Sequence, residues 1–154
     1  MAQNWLYTIR MRKLLLLSVF VMSLQTAKSQ DFPEGITSMG KDTVYTPEIL
    51  KGDTVEVVFY VANLGKKPFW IFQVYASCQC TSPQYANDTF EPGRRDSVVL
   101  FFHSKNTEDE FFEKYALVLT PLGEKGFYIK GHMITPKEGE KTRPRRKIRI
   151  TNLN

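Results

Sequence analysis

Thr54–Asn63 reads TVEVVFYVAN, and its apolar residues fall on alternate positions. Val55, Val57, Phe59 and Val61 share one face, with Glu56 and Tyr60 on the other. That two-residue period is the mark of a β-strand with one buried face. The same reasoning predicts further strands over 69–77 (FWIFQVYAS), 96–102 (DSVVLFF), 111–120 (FFEKYALVLT) and 127–134 (FYIKGHMI). A short opening strand is expected around Asp42–Tyr45. Over 111–120, Lys114 alternates with Tyr115 and Leu117. Turn chemistry separates the runs: LGKKP at 64–68, Glu91-Pro92-Gly93, and PLGEKG at 121–126 as a hairpin connection. No helical period persists beyond one turn, and there is no internal repeat. Short strands with regular turn signals predict an antiparallel β-sandwich of about seven strands, with a small barrel as the second choice.

The first residues follow a different grammar. Basic Met11-Arg12-Lys13 leads into the apolar run LLLLSVFVMSL, and small Ala27 and Ser29 precede a cleavage point. This is the three-part pattern of a secretory signal peptide over residues 1–29. The apolar run falls short of the ~20 residues that a stable span requires. Removal of the signal would leave no transmembrane anchor. Residues 30–41 are polar with Gly and Pro and read as a linker, 42–135 as the sandwich, and 136–154 as a basic tail.

Charge supports the division. The whole chain carries +5, but four basic residues belong to the signal, and the remainder holds 17 basic against 16 acidic side chains. Residues 136–154 carry seven basic against two acidic residues, while 30–135 carry ten against fourteen. The positive charge is therefore a leader and a tail, not a nucleic-acid-binding surface. The tail is expected to be solvated as far as Arg146, and KIRITNL beyond it could add an edge strand. An electrostatic contact with an acidic envelope surface or partner is the sharper reading of the basic run.

The spacing of several motifs resembles a known family. Phe59, Val61, Asn63, Gly65 and Pro68 form one series. Ile71, Val74, Ser77, Cys78, Cys80 and Thr81 form a second, followed by Pro92-Gly93 and Ile129-Lys130-Gly131. Together they resemble the secreted domain-of-unknown-function family numbered fifteen seventy-three, common in Bacteroidetes, over about residues 42–134. The resemblance implies an immunoglobulin-like sandwich of the kind seen in bacterial chaperones and in ciliary and centrosomal proteins. It implies export, to the periplasm or the outer membrane, and no reaction. Gln79 stands where the family usually has glycine.

Candidate chemistry is sparse. Cys78 and Cys80 are the chain's two cysteines, one residue apart. Export favours a disulfide, but an extended Cys-x-Cys puts its Cα atoms near the upper limit for a bridge. A bridge therefore needs a local turn. Two thiolates could instead hold half of a zinc site or bind a soft ion such as Cu(I), with His103 as the best further ligand. A reduced structural pair and a catalytic thiol are the remaining readings. No Ser/His/Asp or metalloprotease signature is present. Glu108-Asp109-Glu110 lacks calcium-loop spacing. Phe69, Trp70 and Phe72 read as core before ligand platform. Asp-Thr/Ser-Val at 42–44, 53–55 and 96–98 resembles an acceptor for O-glycosylation in exported Bacteroidetes proteins, at Thr43, Thr54 and Ser97. It also reads as a turn handing over to a strand.

The expected protein is a non-enzymatic exported module that needs no cofactor. It would bind an envelope protein or glycan through a sheet edge, the loop after Cys80, or the tail. A thiol redox or soft-metal protein built on Cys78 and Cys80 is the alternative.

Overall fold

The computed structural model describes residues 34–136 and 144–153. The expected signal peptide and its cleavage point lie outside the described residues. The strands are β1 (Ile36–Ser38), β2 (Thr43–Tyr45), β3 (Ile49–Leu50), β4 (Thr54–Asn63), β5 (Gln73–Ala76), β6 (Thr81–Tyr85), β7 (Arg95–His103), β8 (Phe111–Thr120), β9 (Gly123–Ile134) and β10 (Lys147–Thr151). They form two sheets. The first runs β1-β4-β7-β6 with β10 also on β4, and the second β2-β9-β8-β5 with β3 also on β9. This is an immunoglobulin-like β-sandwich.

The core fills the space between the sheets. Phe59 of β4 meets Phe127 of β9 at 4.5 Å between ring centroids, and Phe102 of β7 meets Phe112 of β8 at 4.6 Å. Val55, Val57 and Val61 join them, as the alternation in β4 requires. Phe69 stacks on Phe90 at 5.2 Å, also within the core. Fully burying each such ring stabilises by about 1.5–3 kcal/mol.

Several expectations are corrected. The central pairs β4–β7–β6 and β5–β8–β9 are antiparallel, but β2 and β3 on β9 and β10 on β4 are parallel. These outer strands arrive over long connections, which permit parallel pairing where a hairpin does not. The hairpin connection is shorter than 121–126: pairing continues to Thr120 opposite Gly123, whose φ of 128° lets the chain reverse in two residues. In β8 the buried side is that of Phe112, Ala116 and Val118, so Tyr115 and Leu117 face outward. Lys114 shares the inward parity but reaches Asp109 at 3.1 Å. The strand expected over 69–77 begins only at Gln73; Phe69 makes a single bridge to Phe90. Part of the expected linker is β1, and β6 was not anticipated because Pro83 interrupts its pattern. On an edge strand proline is tolerated.

Three buried polar side chains fix the loops. Asn63, in the motif shared with the family, donates from Nδ2 to the carbonyls of Lys67 and Phe90, and its Oδ1 accepts from Gly65 N–H. Asp53 accepts from the N–H of Leu50 and, at 2.8 Å, from that of Arg146. Asn152 is 1% exposed. Its Oδ1 accepts from Tyr60 N–H at 2.9 Å, and its Nδ2 donates to Ser38 Oγ and the Tyr60 carbonyl. The edge strand that KIRITNL could add is thus present as β10 and held at both ends, while Arg146, expected in the solvated stretch, is part of the first clamp. Between the two clamps, Lys147 and Arg149 flank Glu56 at 2.7 and 3.4 Å. The Lys147 hydrogen bond, aided by both positive charges, lowers the Glu56 pKa against the opposing effect of desolvation.

Candidate functional site

Cys78 and Cys80 are joined by a disulfide, with Cα atoms 5.1 Å apart. The chain leaves the edge of the second sheet at β5 and enters the edge of the first at β6, and the pair sits at that crossover. Thr81 N–H closes the turn onto the Cys78 carbonyl, and His103 N–H takes the Cys80 carbonyl. No non-glycine residue among those described has a positive φ, so Gln79 occupies the turn without the strain that would demand glycine. Cys80 is buried and Cys78 packs against the core. The disulfide therefore occupies a corner of the sandwich where the backbone switches layers. In this form the pair offers no thiolate to a metal or a substrate.

His103, the further ligand weighed for a metal, lies close by but faces elsewhere. Its Nδ1 is 3.4 Å from Thr54 Oγ1 and its Nε2 3.4 Å from Ser82 Oγ. The glycosylation candidates divide by setting. Thr43 lies on β2, opposite Tyr128. Thr54 sits between Lys147 of β10 and His103 of β7, and Ser97 is paired within the first sheet opposite Tyr60. Asp42 and Asp53 of these motifs have structural work: Asp42 pairs with Lys125, and Asp53 holds the β3–β4 turn. Glu108 and Asp109 pair with Lys51 and Lys114 respectively.

A different surface gathers chemistry. On the outer face of the second sheet, residues line up in rows across the strands. Thr43, Tyr128 and Tyr115 form one row; Tyr45, Lys130 and Glu113 the next; His132 and Phe111 the third. Tyr75 of β5 lies beyond, opposite Leu117. Phe111 is 78% and Tyr45 71% exposed. Phe111 stacks on His132 at 4.7 Å, and His132 Nδ1 lies 3.1 Å from Glu48 Oε2. Tyr115 and Tyr128 approach to 6.0 Å. Between these rings Lys130 and Glu113 pair at 2.9 Å, and that hydrogen bond raises the Lys130 pKa. Tyr45, Phe111, Glu113, Lys130 and His132 line a groove of about 490 Å³ floored by Phe112 and Gly131. Gly131 has no room for a side chain, because a Cβ would strike Thr46 and the Phe112 ring.

Phe69, Trp70 and Phe72 stand out as aromatics in the sequence, whereas this face does not. Phe69 is core; Trp70 and Phe72 are exposed. The available signal was parity: in F-F-E-K-Y-A, once Phe112 and Ala116 are the buried set, Phe111, Glu113 and Tyr115 must point outward together.

The first-sheet strands with β10 and the second-sheet strands place this chain among known sandwiches. The ASH/PapD-like domain 7 of human CEP192 has a TM-score of 0.54 at 10% identity, covering 73% of this chain and 94% of that one. A protein of unknown function from Porphyromonas gingivalis W83 has a TM-score of 0.56 at 10% identity, covering 70% of this chain and 50% of that one. At such identity the likeness is one of fold. No curated protein matches the sequence. The profile of the family described as "Protein of unknown function (DUF1573)" matches residues 37–132, taking in the Asn63 loop lock, the Cys78–Cys80 corner and most of the aromatic face. This chain therefore belongs to the DUF1573 family.

Proposed function

We propose that the protein is an exported, non-enzymatic binding module of the cell envelope, acting through the outer face of its second sheet. The observation that carries this reading is the row of exposed rings around the Lys130–Glu113 pair. A phenyl group as exposed as Phe111 raises the free energy of the lone domain, and large exposed apolar groups in a cluster mark binding surfaces. Export is supported by the leader pattern at 1–29 and by a disulfide, which persists in oxidising compartments. Among the described residues no helix is long and apolar enough to cross a membrane.

The redox alternative is less well supported, because the disulfide packs against the core beside β6 instead of facing an open cleft. Mature protein recovered from an envelope fraction should begin at Gln30; an intact residue 1–29 segment would overturn the export reading. Crosslinking in cells should trap an envelope component with the native chain and lose it with Phe111→Ala plus Tyr45→Ala. Trapping that ignores both substitutions would move the site elsewhere, and no trapping at all would reject the binding role.

A further inference from the structure

We propose that the groove between Tyr45 and Phe111 binds a neutral, hydroxyl-rich carbohydrate chain. Sugar rings would stack on the two aromatic walls, and their hydroxyls would be held by Glu113 and Lys130. This rests on the binding-module reading above and adds the chemistry of what is bound.

One wall is held in place before any ligand arrives. Phe111 is braced by the His132 ring, and His132 by Glu48. Tyr128 lies against the bare backbone of Gly126: a Cβ there would stand 3.2 Å from its hydroxyl oxygen and 3.3 Å from its ring. The exposure of Phe111 and Tyr45 leaves aromatic ring surface open along the groove itself. The flat, C–H-bearing side of a pyranose packs on such a face, and preorganised rings lose little entropy in doing so. The groove volume of about 490 Å³ falls within the roughly 300–1,000 Å³ range of small-molecule sites.

The charges select among ligands. Glu113 and Lys130 cancel each other at 2.9 Å, and Glu48 sits beside His132. An anionic polymer would meet two carboxylates, and a cationic peptide would meet Lys130. An apolar protein surface would strip water from the Glu113–Lys130 pair and from the tyrosine hydroxyls, at a cost that stacking must offset. The hydroxyls of Tyr45, Tyr75, Tyr115 and Tyr128 have no hydrogen-bond partner among the described residues. A sugar hydroxyl both donates and accepts, so one ring can satisfy an ammonium, a carboxylate and a phenol at once.

The test is native affinity electrophoresis and titration calorimetry of the purified full chain. The probes are soluble neutral oligosaccharides: the cello-, malto-, xylo- and chito-series. At least one series should bind, with affinity rising with chain length. Phe111→Ala and Tyr45→Ala should each weaken binding tenfold or more, while Tyr45→Phe, which keeps the ring and loses the hydroxyl, should weaken it less than Tyr45→Ala. Both ring positions are largely exposed, so unchanged thermal melts will show that folding is intact. Binding that survives Phe111→Ala and Tyr45→Ala overturns the assigned site. If no series binds, yet an envelope protein or a second copy of the chain is captured in a Phe111-dependent manner, the carbohydrate assignment falls and the binding-module reading stands. If neither sugars nor envelope components bind, both fall.

Discussion

Asn152→Ala tests whether the C-terminal strand is part of the domain. The substitution removes the acceptor of Tyr60 N–H and the donors to Ser38 Oγ and the Tyr60 carbonyl. It leaves the backbone bonds from Asn152 N–H to Val58 and from Lys41 N–H to Asn152. A stranded buried N–H costs about 1–3 kcal/mol, and the two donated bonds add about 0.5–1.5 kcal/mol each where water cannot replace them. Ser38 is only half-buried and keeps its bond to the Gly40 carbonyl, so the expected loss is about 2–4 kcal/mol. For a body of this size that corresponds to a fall in Tm of roughly 8–15 °C. Urea denaturation followed by circular dichroism should show a lower midpoint with an unchanged slope. Hydrogen exchange should show the β10 amides losing protection before those of β4 and β7. Leu153→Ala, one residue on and exposed, should stay within about 0.5 kcal/mol. An Asn152→Ala protein with the parent midpoint and full β10 protection would refute the clamp.

Other outcomes follow from the same contacts. Because the folded-state pKa of Glu56 is depressed, its contribution is present above the unfolded carboxylate value and is lost as pH falls through the folded value. Acid titration of β10 exchange protection should therefore show a loss that Glu56→Gln abolishes; an identical profile in the variant would sink the assignment. Replacing both cysteines by alanine removes a three-residue loop constraint, worth about 1.5 kcal/mol in the chain-entropy picture. The variant should fold with a modestly lower midpoint, and a failure to fold would show the corner to be essential. Phe59→Ala, at the centre of the inter-sheet contact, should cost about 3–5 kcal/mol by chemical denaturation, and a cost below 1 kcal/mol would contradict the packing described. Intact-mass mapping of native protein should find Thr54 without sugar, since it is flanked on both sides by paired strands; a glycan there would mean that β10 is not docked.

The long strands were legible because a residue such as Phe59 or Val98 has one period and one role. Where the reading went astray, two residues of similar polarity competed for the same face. In F-F-E-K-Y-A the pattern allows either Phe111 or Phe112 to be core, and only pairing with Gly131 of β9 decides it. β1 and β3 escaped because two or three residues carry no period: Ile49 is fully buried, yet nothing around it alternates. The strand in the tail was legible in the alternation of KIRITNL, but what holds it was not. Lys147 and Arg149 look like solvated charges until Glu56, about ninety residues earlier, is placed between them. The motif at Asn63 was legible as a motif but not as a mechanism, since its partners, the carbonyls of Lys67 and Phe90, come from two different loops.

The edge of β4 is covered in two halves: β1 pairs with its last residues, 61–63, and β10 with its first, 54–58. The two halves meet at Gly40 and Asn152, where a Cβ on Gly40 would collide with the Asn152 carbonyl. In biosynthetic order, β4 is made nearly a hundred residues before the strand that finishes it. Until residue 152 has been synthesised, half of the longest strand in the first sheet presents open backbone N–H and C=O groups, the condition under which strands pair with other chains. Synthesis of β10 is thus also the step that closes this edge of the first sheet. Any product stopping before Lys147 would lack the packing of Ile148 and Ile150 and carry an unsealed side, an edge that invites aggregation or clearance.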